Sequence, residues 1–273
     1  MAISGIVSGG TGPYNYSISV SSIGIVGYSS SLDYEFPSGQ YNITITVYDA
    51  DGNSAHASIS IIVNSLPSVS ITSKYPNIDV NTTDVFNATI SGGTAPYLKA
   101  LWYINNSYYA NGTSISYSFS SSGVYSVKII IYDSQNVSAS NIIDITVVKY
   151  PESSIIASHK NIDANVPDSF RAETSGGIGP YKDEFLIAGH IFYNSSIPYS
   201  FTTPGTYTVE LIVSDYFGKD ANSYINITVY PDPEIDVYWN GKPTVSENFK
   251  LYSNVTGGIG PYSVSWIFSD QEL

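Results

Sequence analysis

The chain has 273 residues, a formal net charge of −13 and no cysteine, and only 12% of its residues are charged. Its ten lysines and arginines form no basic stripe, so we expect no nucleic acid and no anionic membrane as a partner. No apolar run approaches the roughly 20 residues of a membrane span, and the chain offers neither disulfides nor thiolate metal ligands.

A block with the pattern Gly-Gly-x-x-Pro-Tyr occurs four times along the chain at a spacing of about 80 residues. Its copies begin at Gly9, Gly92, Gly176 and Gly257. This period is too long for a solenoid unit of roughly 20–50 residues and long enough for a small domain. Because glycine supplies unusual backbone angles and proline fixes one of them, each block predicts a turn between strands.

A second pattern follows each of the first three blocks and predicts a β-hairpin. In the first copy Tyr41, Ile43, Ile45 and Val47 alternate with polar residues, which is the period of a half-buried strand. A short Asp/Gly/Asn loop and a second alternating run, ending at Val63, complete the hairpin. No stretch shows convincing helical periodicity, so the predicted fold class is all-β.

The repeats predict a tandem row of antiparallel β-sandwich domains. Their expected bounds are 1–65, 66–149, 150–230 and a partial repeat at 231–273. Because the linkers between these domains are short and contain proline, we expect a semi-rigid, elongated rod.

The two ends of the row are expected to be incomplete. The first repeat would lack its first strand, and the last would lack most of its second half. Two interpretations stay open. The chain is either a fragment of a longer array, or a filament subunit whose end domain is filled by strands of a neighbouring copy. Either interpretation predicts a partner for the unpaired edges.

The chain resembles PKD-type repeats and related immunoglobulin-like sandwich domains of prokaryotic cell-surface proteins. The resemblance rests on the Gly-Gly block, on the Gly-x-Tyr strand with the Asp that follows it, and on an aromatic strand at Trp266–Asp270. That strand approximates the family pattern W-x-F-x-D, which Leu101–Asn105 follows loosely and from which the first and third repeats depart. The Ser-, Thr-, Asn- and Tyr-rich arrays are similar to archaeal surface proteins such as S-layer components, protease stalks and extracellular threads.

The resemblance implies a non-catalytic structural component of the cell exterior, such as a stalk, an S-layer part or an extracellular filament. Its implied partners are further copies or repeats at the incomplete ends, and cell-surface glycans or proteins. The alternatives are a carbohydrate- or surface-binding module and an accessory region of a larger secreted enzyme. Tyr103, Tyr108 and Tyr109, close to Trp102, are the least regular aromatic cluster and the strongest candidates for ring stacking.

Three tyrosines are expected to be structural. Tyr41, Tyr125 and Tyr207 each lie two residues after a glycine, at the start of a strand. That position is similar to the tyrosine corner of immunoglobulin-like domains, in which the hydroxyl bonds to upstream backbone while the ring packs in the core.

Asp49, Asp51 and Asn53 are weak candidates for calcium, since clustered side-chain oxygens on a tight loop suit that ion. Their spacing is not that of an EF-hand, and the third repeat offers fewer acids at this place. Asx-type hydrogen bonds to nearby backbone amides are therefore the better explanation of Asp49.

The sequence proposes no catalytic residue, no cofactor and no further metal ligand, and we expect no enzyme. Its histidines, His56, His159 and His190, lie in three unrelated contexts without a catalytic signature. Ten Asn-x-Ser/Thr sequons are candidate glycosylation sites if the chain is extracellular. They are Asn15, Asn42, Asn81, Asn87, Asn105, Asn111, Asn136, Asn194, Asn226 and Asn254.

Overall fold

The computed structural model describes residues 2–269, and every regular element in this range is a β-strand. The described residues therefore contain no helix long and apolar enough to cross a membrane. The strands form antiparallel sheets, with two parallel pairings among them. The predicted all-β class is confirmed.

The strands follow one another in three groups along the chain. The first six are β1 Ala2–Ser4, β2 Asn15–Val20, β3 Gly24–Gly27, β4 Ser31–Asp33, β5 Gly39–Tyr48 and β6 Ser54–Val63. The next eight are β7 Ser68–Ser73, β8 Asn77–Asp79, β9 Thr83–Ser91, β10 Lys99–Ile104, β11 Ser107–Asn111, β12 Ser114–Ser118, β13 Gly123–Tyr132 and β14 Ser138–Val148. The last ten are β15 Glu152–Ala157, β16 Asn161–Asp163, β17 Pro167–Ser175, β18 Lys182–Ile187, β19 His190–Phe192, β20 Ser196–Ser200, β21 Gly205–Ser214, β22 Asp220–Tyr230, β23 Glu234–Trp239 and β24 Leu251–Thr256.

The chain divides into two compact units, of which the first comprises the residues up to 76 together with 83–117 and 124–145. In this unit a four-stranded sheet of order β3-β2-β5-β6 accompanies the two-stranded pair β1-β4. Ile18 and Val20 of β2 and Ile43 of β5 form a buried cluster with Leu32 of β4. The alternation read from Tyr41 onward thus places its apolar residues on the core side.

The same unit contains two further sheets, of orders β12-β9-β7 and β11-β10-β13-β14. Phe86 on β9, Trp102 on β10 and Ile129 on β13 are each completely buried. Apolar residues of these sheets are removed from water on one face while polar residues alternate on the other, as in a two-layer sandwich.

The second unit comprises 77–82, 118–123 and the chain from 146 onward. Its sheets β15-β17-β20 and β16-β22-β21-β18-β19 enclose one apolar core. Phe170 and Ile197 come from the first sheet, and Phe185, Leu211 and Ile227 from the second. Eight strands in two facing sheets, with β16 parallel to the end of β22, form an immunoglobulin-like β-sandwich.

The strand order recurs along the chain. β7 to β14 pair in the same order as β15 to β22, and β2 to β6 pair in the order of β10 to β14. β23 and β24 pair antiparallel with the register of β15 and β17, Glu234 lying opposite Thr256 as Glu152 lies opposite Ser175. The fold is therefore a tandem array of immunoglobulin-like sandwiches, while the exact repeat bounds stay predictions.

One expected strand is wrong in the described structure. Residues 261–269 form no regular strand, although Trp266 and Phe268 there follow the aromatic pattern; Asp270 lies outside the described residues. In the complete sandwich the matching strand β18 pairs with β21 and β19. No such partners follow β24 among residues 2–269, so the segment has no ladder to join.

We predict that Phe185→Ala lowers the free energy of unfolding by about 3–5 kcal/mol, because it leaves a cavity in a fully buried position. Urea unfolding of the whole chain measures this loss. The control is Leu186→Ala on the adjacent residue, which is 37% exposed and should cost far less. Equal losses for the two variants would contradict the assigned core.

Candidate functional site: a repeated junction of two loops and a linker

The four Gly-Gly blocks adopt one conformation. Both glycines of each copy have positive φ, for example 65° at Gly92 and 66° at Gly93, and the bond before each proline is cis. A Cβ added to Gly92 would lie 2.3 Å from the carbonyl oxygen of Leu66, and one on Gly176 would lie 2.5 Å from that of Tyr150. In the three later blocks only glycine fits at the first position, because the backbone of the preceding linker passes too closely for a side chain.

The tyrosine that ends each block closes the loop. The hydroxyl of Tyr14 donates a hydrogen bond to the carbonyl oxygen of Gly9 at 2.8 Å, and that of Tyr181 donates to Gly176 at 2.6 Å. Tyr97 and Tyr262 make the same contact with the first glycine of their blocks. Sequence reasoning missed this bond, although the return of tyrosine at one position in all four copies was the signal for it.

An aspartate in the loop after each long strand connects two loops. Oδ1 of Asp133 accepts the backbone N–H groups of Gln135 at 3.0 Å and of Val137 at 2.8 Å, which is the Asx-type turn expected from sequence. Its Oδ2 accepts the N–H of Thr94, in the Gly-Gly block, at 3.0 Å. Asp215 is held in the same way by Phe217, Lys219 and Ile178.

These hydrogen bonds favour the ionised carboxylate. The N–H of Thr94 is the largest cause that holds the pKa of Asp133 below its usual range, partly opposed by burial and assisted by Val137 and Gln135. In the first repeat the side-chain amide of Asn53 is the largest cause of the lowered pKa of Asp49.

The candidate calcium loop is used in the same turn. Asp49 accepts the backbone N–H groups of Asp51 and Asn53 and the side-chain amide of Asn53. Among the described residues no three His, Cys, Asp or Glu side chains are grouped to hold a metal ion. The loop geometry is thus accounted for by amide donors.

The linker that enters each later repeat is fastened to the same place. The N–H of Gly93 donates to the carbonyl oxygen of Ser65 at 2.8 Å, that of Gly177 to Lys149 at 2.8 Å, and that of Gly258 to Pro231 at 2.7 Å. We call the combination of linker, Gly-Gly block and aspartate loop the junction. Each linker is therefore bound into the repeat that follows it.

The tyrosine corners lie at the opposite end of the same long strands. The hydroxyl of Tyr41 donates to the carbonyl oxygen of Pro37 at 3.1 Å, and that of Tyr207 to Thr203 at 2.8 Å. The ring of Tyr207 lies 4.5 Å from that of Phe201, between centroids. Tyr125 is half-buried at the matching position of β13. Tyr41 and Tyr207 thus hold upstream backbone through their hydroxyl groups.

The irregular aromatic cluster is not one platform. Trp102 is completely buried and donates its indole N–H to the carbonyl oxygen of Gly112 at 2.7 Å. Tyr103 and Tyr108 lie opposite each other on β10 and β11, with ring centroids 6.0 Å apart. Tyr109 instead contacts Tyr117 edge to face, so the candidates divide between two separate pairs. In the first pair Tyr103 is half-buried and Tyr108 is exposed.

One of the three histidines, His159, has a partner that sequence reasoning did not predict, the side chain of Asp168. The buried carboxylate of Asp168 accepts the backbone N–H of His159 and lies 3.3 Å from Nδ1 of its ring. In the preceding repeat Asp84 accepts the hydroxyl of Ser73 at 2.5 Å. Asp84 and Asp168 lie at equivalent positions of their repeats, and each bonds to the turn that follows the first strand of its repeat.

All ten sequon asparagines are exposed. Asn81 already donates its Nδ2, the atom that a glycan would modify, to the hydroxyl of Tyr150 at 3.4 Å. Asn105 and Asn111 use only Oδ1, which accepts the N–H groups of Ser126 and Ala100. The contacts thus set Asn81 apart from the other candidates.

No family model and no curated protein matches the chain. Among solved structures, three N-terminal domains of the outer capsid protein Hoc of bacteriophage RB49 are 14% identical, with a TM-score of 0.49, covering 84% of this chain and 92% of that one. Fibronectin(III)-like modules of Clostridium thermocellum CbhA are 16% identical, with a TM-score of 0.33, covering 59% and 95%. An I-band fragment of titin is 13% identical, with a TM-score of 0.39, covering 80% and 89%.

We predict that Asp133→Asn lowers the thermal unfolding midpoint at neutral pH, because an amide oxygen replaces an ionised acceptor of three N–H groups. The stabilisation by Asp133 is present above its ordinary pKa and is lost as pH falls through its lowered folded-state pKa. The difference in thermal unfolding midpoint between the variant and the wild type should therefore become smaller in acid.

Calorimetric unfolding scans over a pH series measure this difference. The control is Asp144→Asn, which changes an exposed aspartate on β14 and should leave the midpoint nearly unchanged. Identical midpoints of Asp133→Asn and wild type at neutral pH would contradict the assigned role.

Proposed function

We propose that this protein is a non-catalytic structural component of the cell exterior, built from PKD-type immunoglobulin-like repeats of archaeal surface character. It would act as a stalk, a part of an S-layer or an extracellular filament. The observation that carries this proposal is the recurrence of one junction in successive repeats, each time fastening a linker to the following domain.

The chemistry of the junction supports a mechanical role. Both oxygens of Asp133 and of Asp215 accept backbone N–H groups, and the hydroxyls of Tyr14 and Tyr181 donate to backbone carbonyl oxygens. These repeated polar atoms are engaged in holding loops together. A repeated joint is what a spacer needs, whereas a catalytic site needs polar atoms directed at a substrate.

The surface supports an exterior location. The sequon asparagines are exposed, and Asn42 and Asn226 lie on the solvent side of long strands, as their sequence phase predicts. Glycans at such positions would shield strand edges and add solubility to a chain with few charged residues. We therefore propose that several of these asparagines carry N-glycans.

We also propose that the first repeat is covered by further β-structure, either from another copy or from other repeats of the same parent chain. A cleft of about 210 Å³ there is lined in part by Tyr16, Ile45 and Ala57. On the neighbouring strand β6, Ile59 is 53% exposed. Strand addition would bury this apolar surface and use the free backbone groups of an edge.

We predict that cryo-electron microscopy of native surface material shows these repeats outside the cell, with glycan density on exposed sequon asparagines. The cleft beside Ile45 and Ala57 should be covered by a strand. Glycopeptide mass spectrometry of the same material provides an independent check, with Asn81 less modified than Asn111 because its Nδ2 is engaged. Recovery of the protein only from the cell interior, without glycans, would contradict the proposal.

A carbohydrate-binding role is the second candidate, and the observation that favours it is the exposed ring of Tyr108 beside the half-buried ring of Tyr103. Sugar rings stack on such aromatic faces. Under this alternative, Tyr108→Ala should weaken binding on a glycan array about tenfold, which corresponds to about 1.4 kcal/mol, because the stacking ring is lost. Tyr224→Ala, at an exposed tyrosine bonded to Glu210, is the control. Absence of any bound glycan for the wild type would exclude this role.

A further inference from the structure

The last residue of β8 is an aspartate whose carboxyl oxygens receive no hydrogen bond from the described residues. Asp79 is completely buried, and neither of its carboxyl oxygens accepts a hydrogen bond from any described residue. Its side chain lies against the carboxyl group of Asp215, in the loop between β21 and β22. Both residues belong to the second compact unit. Two buried carboxyl groups side by side cannot both be ionised without a large cost.

The two aspartates differ in their supply of donors. Asp215 accepts the backbone N–H groups of Phe217 and Lys219 at 2.9 Å each and that of Ile178 at 3.4 Å. These bonds require the oxygens of Asp215 to act as acceptors, whereas no N–H group donates to the oxygens of Asp79. The favourable arrangement is therefore a neutral Asp79 whose O–H donates to the carboxylate of Asp215.

The surrounding charges are few. Repulsion from Asp215 and attraction to Lys219 are the two charge effects on Asp79, and burial is the largest influence. The ammonium group of Lys219 lies 5.4 Å from the centre of the Tyr150 ring, whose hydroxyl accepts the side-chain amide of Asn81. Burial, followed by the hydrogen bond to Asp215 and repulsion from it, raises the pKa of Asp79 to about 7.

The two kinds of aspartate also occur at other places in the chain. Asp163 ends β16 as Asp79 ends β8, and its Oδ1 is likewise buried without a donor. Aspartates equivalent to Asp215 begin the corresponding loops at Asp49 and Asp133. The chain thus carries one acid at the end of a short parallel strand and another at the start of the aspartate loop.

We propose that a single proton, shared between Asp79 and Asp215, fastens the end of β8 to the loop Asp215–Lys219 in acid and releases it in alkali. The sign follows from linkage. A carboxyl group whose folded-state pKa is raised stabilises the fold fully below its unfolded pKa, and this stabilisation is lost as pH rises through the folded value. The contact between the end of β8 and this loop therefore weakens as pH rises through the folded-state pKa of Asp79.

The experiment is a pH titration of the full chain with carbon-13 labelled aspartate, followed by nuclear magnetic resonance at the carboxyl carbon of Asp79. We expect its midpoint near pH 7, as its raised pKa requires. The unfolding equilibrium constant should rise roughly a hundredfold between about pH 5 and about pH 8 from this group alone. A midpoint at the ordinary value of an aspartate would overturn the proposal.

Variants separate this effect from general acid stability. Asp79→Asn keeps a neutral donor toward Asp215 and should remove this component of the pH dependence, so that the variant is the more stable protein at about pH 8. Asp163→Asn, which changes the matching residue of the next repeat, should retain the wild-type pH profile. If the two variants behave alike, the pairing with Asp215 is wrong.

A divalent cation is the competing occupant of such a pair. Under the proposal, millimolar calcium leaves the unfolding midpoint unchanged in wild type and in Asp79→Asn alike. If calcium stabilises the wild type at about pH 8 and not the variant, the pair is a cation site and the proton assignment is overturned. The titration of Asp79 depends on neither folding of a variant nor the proposed location at the cell exterior.

Discussion

The hydrogen bonds that the loop aspartates accept from two separate loops are the interaction on which each repeat depends. Asp133 binds amides of its own loop through one oxygen and the amide of Thr94 through the other. Because Thr94 follows Gly92 and Gly93, the carboxylate fixes the loop that in turn holds the linker carbonyl of Ser65. One side chain therefore determines the positions of three backbone segments, and an ionised acceptor makes each of these bonds stronger than a neutral one would.

This arrangement explains why small residues lie where they do. The linker backbone passes so close to Gly92 and Gly176 that no side chain fits. The second glycine of each block, Gly93 or Gly177, donates its N–H to a linker carbonyl oxygen. Tyr97 and Tyr181 then close the loop by donating to the first glycine. The linker is held by backbone contacts of the following repeat, so proline in the linker is only one of the constraints on it.

Much of the fold could be predicted from local patterns, because strands and turns are set by residues near one another in sequence. Alternation from Tyr41 to Val47 identified β5 and its buried face, and the aspartate after it predicted the Asx-type turn. The bond from Tyr14 to Gly9 was equally local but requires the loop conformation to be known. The contact of Asp79 with Asp215 joins residues far apart in sequence, so no local periodicity or spacing predicts it.

Asp133 and Asp79 show how one residue type takes opposite roles in a chain with few charges. Asp133 has three amide donors, which lower its pKa and favour the anion. Burial is the largest cause that raises the pKa of Asp79, which has no amide donor to oppose it and faces a carboxylate, so the neutral acid is favoured. Burial also raises the pKa of Asp133, but there the amide donors outweigh it. A repeat that carries both kinds of aspartate therefore combines one contact that weakens in acid with another that weakens as pH rises.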